Sequence, residues 1–166
     1  MTDIDKITIK VYSHDMAQKQ SSVEASSPVV SSDSVRIVVF NDAGEFLVVT
    51  EKDDPTNRKL PGGKVDPTDP SWRAAAEREA DEELKKTALD IGLTEAGILA
   101  NDDGLVKRGI FLGHLASADA LGKLGEDIAS AEWFSEATLP DGLNRNHILA
   151  AVELARSARS QTTRPM

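Results

Sequence analysis

Leu60-Pro61-Gly62-Gly63-Lys64-Val65, followed on the same chain by Arg78-Glu79-Ala80-Asp81-Glu82-Glu83, is the stretch on which the fold and the chemistry turn. A proline and two glycines make a loop that a ligand can approach closely, because no Cβ stands in the way. Asp69-Pro70-Ser71 then reads as a helix start, and Trp72 to Lys86 is rich in Ala, Glu, Arg and Leu, all good helix formers. On that helix Glu79, Glu82 and Glu83 lie three and four residues apart, which predicts one face and carboxylates near enough to share a cation. An acidic helix face alone is usually just solvated, since like charges at these spacings cost only a few tenths of a kcal/mol per pair. The neighbourhood separates this cluster from that ordinary case. Arg78 stands beside it, placed to hydrogen-bond a glutamate and aim it at a metal. Glutamate oxygens suit hard cations such as Mg²⁺ and Mn²⁺, and a glycine loop leading into an acidic helix suits metals together with a diphosphate.

Outward from this stretch the pattern alternates strands with helices. Val35 to Phe40 and Glu45 to Thr50 are β-branched runs around the turn Asn41-Asp42-Ala43-Gly44, which predicts a hairpin. Asp53 to Arg58 reads as a polar loop. Leu93 to Ala100 and Lys107 to Ala116 read as strands around Asn101-Asp102-Asp103-Gly104, with a short strand within Ala131 to Ser135. Asn146 to Arg159 has helical spacing, with Ile148, Leu149, Val152 and Ala155 on one face. Upstream, Ile7 to Tyr12 reads as a strand, and Ala17 to Ser34 as a loop with a short strand near Val29-Val30. The expected organisation is an N-terminal strand and flexible extension over 1–34, one α/β domain with a mixed sheet over 35–159, and a frayed tail over 160–166. The extra N-terminal strand is an edge through which two copies could pair as a homodimer.

Composition narrows the function classes. The 166 residues carry a formal net charge of −9 and no cysteine, so neither a thiolate metal site nor a disulfide framework is available. No apolar run approaches the roughly 20 residues of a membrane span, and the expected setting is cytoplasmic. No dense lysine or arginine cluster suggests long nucleic acid as a partner. An acidic chain still binds a small phosphate ester when divalent cations sit between its carboxylates and the phosphates. His14, His114 and His147 are scattered and read as structural or exposed, Trp72 and Trp133 as packing residues. Arg58, Lys59, Lys107 and Arg108 are candidates to meet a phosphate.

The two halves of the quoted stretch resemble the Nudix hydrolase family (MutT-like). Gly63 stands at the opening glycine of the family pattern, and Arg78-Glu79-Ala80-Asp81-Glu82-Glu83 matches its helical half. The resemblance implies a Nudix-type α/β/α sandwich and Mg²⁺-dependent (Mn²⁺ as an alternative) attack of water on a pyrophosphate bond in a small nucleotide-like substrate. It implies metal binding by Glu79, Glu82, Glu83 and a carbonyl near Gly63, while the residues themselves make Arg58, Gly62 and Gly63 the expected substrate contacts. Glu82, Arg78 and Glu126 are the expected catalytic residues. Glu82, Glu126 or Asp127 is the expected base, the last two from the loop Gly122 to Ser130. Nucleoside diphosphate derivatives are the first expectation for substrate and nucleoside triphosphates the second; a Nudix-fold binding module without turnover is the remaining alternative. Three departures from the pattern stand out. Asp69 replaces a glutamate, and eight residues separate it from Arg78, one more than the family has. Lys85 replaces a glycine, which predicts that the helix runs on for a further turn.

Overall fold

A computed structural model describes residues 33–100, 104–116 and 121–162. The strands expected at 7–12 and 29–30, and the edge proposed for pairing two copies, lie outside the described residues. A seven-stranded mixed sheet forms the middle layer, in the order β3-β2-β1-β6-β5, with β4 added to β1 and β7 to β2. The strands are β1 (Ser34–Phe40), β2 (Phe46–Glu51), β3 (Asp54–Lys59), β4 (Gly62–Lys64), β5 (Thr94–Ala100), β6 (Lys107–His114) and β7 (Ile128–Phe134). Among the described residues only β1 and β6 run parallel; the other described pairs are antiparallel.

The period of two along β1 divides the molecule. Val35, Ile37 and Val39 enter one core with Trp72, Ala75, Ala76 and Ala80, while Val38 and Phe40 enter a second with Ile148, Ala151, Val152 and Ala155. Each large apolar side chain buried this way contributes about 1.5–3 kcal/mol against conformational entropy. Helix α1 (Trp72–Glu79) therefore covers one face and helix α3 (Arg145–Thr162) the other, giving the expected α/β/α sandwich. A single-turn helix, α2 (Ala88–Ile91), links α1 to β5 and is held by a capping box between Thr87 and Asp90.

Several elements depart from the sequence expectation. The hairpin strands β1 and β2 are in register only at Phe40 and Phe46. Beyond that point the Pro-Gly-Gly segment lies on β1 as β4, pairing Arg36 with Gly62 and Val35 with Gly63. The polar segment expected as a loop over 53–58 is a strand, β3, because pairing with β2 outweighs its poor β-propensity. β7 is longer than expected, since it pairs with β2 along its whole length. Ser160 to Thr162, expected to fray, continue α3.

Helix α1 starts as expected, with the Ser71 hydroxyl accepting a hydrogen bond from Ala74 N at 3.0 Å. It passes into one wider, π-helical turn over Ala80–Leu84. The chain leaves the helix at Lys85, whose φ is 54°. Lys85 thus takes the left-handed conformation that a glycine would take, so the predicted extra turn does not form.

Candidate active site

Strand β4 and the end of α1 meet along two buried carboxylates. Glu83 Oε1 accepts a hydrogen bond from Gly62 N at 2.7 Å, and Oε2 accepts from Lys59 Nζ at 3.2 Å. The Lys59 ammonium also donates to Gly62 O at 3.2 Å and pairs with Glu51. A cationic group therefore sits in a cradle of three oxygens: two from carboxylates and one from the backbone. The close approach of β4 to β1 requires glycine at 62, where φ is 139° and a Cβ would overlap the Val35 carbonyl. At Gly63 a Cβ would lie 2.6 Å from Glu79 Oε1, so the missing side chain is the space that Glu79 occupies.

Arg78 organises the other side. Its Nε and Nη2 grip Asp69 at 3.1 and 2.9 Å, and Nη2 also reaches Lys64 O at 3.2 Å. Its Nη1 contacts Glu79 at 3.0 Å and Glu82 at 3.3 Å. Asp69 is held below the usual carboxylate range by the Arg78 hydrogen bonds. Asp69, at the family's glutamate position, thus still reaches Arg78 despite the additional residue between them. The Arg78 donors are thus spent on protein acceptors, Glu79 and Glu82 among them, which is the glutamate contact that its place in the sequence predicts.

Glu79 and Glu83 are both buried, and Glu82 is exposed. The wider π-helical turn ends the regular spacing on which a single face for all three was predicted. Burial pushes the Glu79 carboxyl up, with repulsion from Glu83 next in size, and burial likewise pushes Glu83 up. Lys59 is shared between Glu51 and Glu83, and Arg78 between Asp69, Glu79 and Glu82, so two positive charges serve five carboxylates. Hard oxygen donors with uncompensated charge, beside a cradle that already holds an ammonium, fit a divalent cation. Among the described residues no three Asp, Glu, His or Cys side chains form a metal cluster by themselves, so backbone or substrate oxygens would complete the coordination.

The loop before β7 docks on the end of α1. Gly125 N donates to Glu83 O at 2.9 Å, and a Cβ at Gly125 would overlap the Glu82 carbonyl. This brings Glu126 within one residue of the contact, yet the Glu126 and Asp127 side chains are exposed. Arg58 lies in a separate recess lined by Leu139 to Arg145, away from Glu83. Trp72 is buried over Gly109, Trp133 packs against the first core, and His114 pairs with Asp42 at 2.8 Å.

Beside Lys59 a cavity of about 190 Å³ opens on the α3 side of the sheet, lined by Arg36, Asn57, Lys59, Arg108, Asn144 and His147 among others. Lys59 and Arg108 are phosphate-contact candidates on sequence alone, whereas Arg36, Asn57 and Asn144 emerge only from the fold. The one available signal was an arginine inside the apolar run of β1.

Residues 31–152 match the NUDIX domain family. A Bacillus subtilis (strain 168) protein, provisionally named an 8-oxo-dGTP diphosphatase, is 30% identical over 105 residues, spanning 63% of this chain and 66% of the relative. The NUDIX domain of Shewanella oneidensis NrtR, solved with ADP-ribose, superposes with a TM-score of 0.59 at 16% identity, over 87% of this chain and 99% of that one. The Escherichia coli dihydroneopterin triphosphate pyrophosphohydrolase gives 0.56 at 16% identity, over 75% and 95%. With the family match covering most of the sheet, α1 and the Glu79–Glu83 pair, this chain belongs to the Nudix family.

Proposed function

We propose that this protein is a Mg²⁺-dependent hydrolase that cleaves a pyrophosphate bond in a nucleoside diphosphate derivative. The observation that carries this reading is the buried Glu79–Glu83 pair facing the Gly62-Gly63 strand, where cationic groups already sit on carboxylate and carbonyl oxygens. Glu79 and Glu83, with a backbone carbonyl of Gly62 or Gly63, would hold the divalent ion. When bound, that ion neutralises phosphate oxygens and lowers the pKa of water.

The chain's own residues do the rest. Water oxygen bonds to phosphorus, the bridging phosphorus–oxygen bond breaks, and the released proton passes to a carboxylate. Glu82 and Glu126 are the candidates for that base, because both are exposed and lie on the two segments that meet at Gly125. Arg78 keeps Glu79 and Glu82 oriented, and Lys59 holds Glu83 while offering a charge to a phosphate. The cysteine-free sequence accords with a cytoplasmic enzyme.

A second reading, hydrolysis of a nucleoside triphosphate, is favoured by the name of the Bacillus relative. Chromatography of products separates the two. ADP-ribose and nucleotide sugars should give a nucleoside monophosphate and a sugar phosphate. If 8-oxo-dGTP or dGTP alone yields monophosphate and pyrophosphate, the triphosphate reading replaces the first. Metal-dependent binding without any product would make the chain a binding module.

A further inference from the structure

We infer that the cavity beside Lys59 is an anion-binding subsite, and that the substrate carries a phosphate monoester beyond the bond that is cleaved. The subsite rests on the cavity's own charge; the word substrate rests on the hydrolase reading above.

Arg36 and Arg108 come from adjacent parallel strands, in a register that sets Ser34 beside Arg108 and Arg36 beside Ile110. The arginines are thus two residues apart along the sheet, and both line the cavity. Among the described residues neither has a carboxylate within ion-pair distance. Arg36 Nη1 donates to Leu60 O at 3.3 Å, and Arg108 Nη1 lies 3.2 Å from His147 Nδ1. An arginine only donates, so Nδ1 is the acceptor, and a neutral His147 keeps its proton on Nε2 as a further donor. Burial is the first cause lowering the pKa of both arginines and of His147, and for Arg36 attraction to Glu83, Glu79 and Glu51 offsets part of it. Asn144 Nδ2 is spent on Asn57 Oδ1 and Arg58 O at 2.6 and 3.0 Å, which leaves the Asn57 amide able to donate.

No aspartate or glutamate lines the cavity, and no Phe, Tyr or Trp does either. Two half-buried guanidinium forks face the cavity with no described carboxylate at ion-pair distance, which leaves their planar donors to an anion whose geometry matches them, as phosphate oxygens do. A neutral guanine could accept from one arginine through O6 and N7. It would leave the charge uncompensated and find no aromatic ring to stack upon. Lys59 joins the two regions, because it lines the cavity and also touches Glu83. A substrate whose diphosphate lies against Glu79 and Glu83 would therefore extend a further phosphate, a monoester outside that diphosphate, towards Arg108.

Two measurements on the full chain test this. In EDTA, calorimetric titration with inorganic phosphate should show saturable binding that Arg108→Gln weakens about tenfold or more, the scale of a charge-assisted contact, while Glu83→Gln retains it. With Mg²⁺, NADP⁺ should be preferred over NAD⁺, or coenzyme A over dephospho-coenzyme A, by a similar kcat/KM ratio that Arg108→Gln brings towards one. Should Arg108→Gln fail to fold, His147→Ala and the wild-type substrate pairs give the same reading. Phosphate binding indifferent to Arg108 and His147, or equal kcat/KM within each pair, overturns the subsite and leaves the hydrolase standing. A guanine-over-adenine preference lost in Arg108→Gln also overturns it, in favour of base recognition. Arg108-dependent phosphate binding with no turnover of any compound supports the subsite and removes the hydrolase.

Discussion

Gly62 and Gly63 are neighbours that exclude a side chain for different reasons, and the difference is measurable. Gly62→Ala meets backbone on β1 at a φ of 139°, so it should cost on the order of 3 kcal/mol or more in chemical denaturation. Gly63→Ala meets only the end of the Glu79 side chain, so the fold should lose about 1 kcal/mol at most while kcat/KM falls about a hundredfold. Equal stability losses in the two variants would contradict this assignment. His147 supplies a pH signature. Its folded pKa is lowered, by burial first and Arg108 second, so the unfolded chain binds its proton more readily. The stability that follows is full above the ordinary histidine range and is lost as pH falls through it. Thermal denaturation of wild type between pH 7.5 and 5.5 should show that loss, and His147→Gln should show less of it. The acidic cluster was legible in sequence because Glu79 and Glu83 belong to one helix. The cationic cavity was not, because Arg36, Arg108 and His147 come from three separate elements that only tertiary packing brings together.

Helix α1 shows how far local rules reach. Its start was legible: Ser71 caps it, and Ser71→Ala should cost about 1 kcal/mol. Its end was not. Lys85 occupies the left-handed region although lysine disfavours it, because the π-helical turn brings the chain to β4 and the Gly125 loop in one fixed position. Lys85→Gly should therefore raise stability by about 1 kcal/mol in the same denaturation assay. A destabilising effect would mean that the lysine side chain contributes more than its backbone costs. Strands β3 and β4 were read as loops for a related reason. Asp54 to Lys59 and Gly62 to Lys64 have little strand propensity of their own, and their pairing with β2 and β1 decides them. The strongly patterned elements, β1, β2, β5, β6 and α3, were recovered to within a few residues.

At the scale of the whole molecule, a sheet covered by α1 on one face and α3 on the other leaves Lys59 touching Glu83 and also lining the cavity with Arg36 and Arg108. On the function proposed above, the buried pair Glu79 and Glu83 holds a divalent ion, and an ion that binds the native state alone stabilises it. Mg²⁺ at about a hundred times its dissociation constant should add about 2.7 kcal/mol, seen as a rise in Tm that EDTA reverses and that Glu79→Gln and Glu83→Gln lose. The most direct measurement is hydrolysis of a panel of nucleoside diphosphate derivatives and triphosphates by wild type and Glu83→Gln, each with Mg²⁺ and with EDTA. Cleavage by wild type with Mg²⁺, abolished both by EDTA and in a Glu83→Gln protein that remains folded, is the predicted result. Cleavage that persists in EDTA or in the folded variant would contradict the central role given to the buried carboxylates.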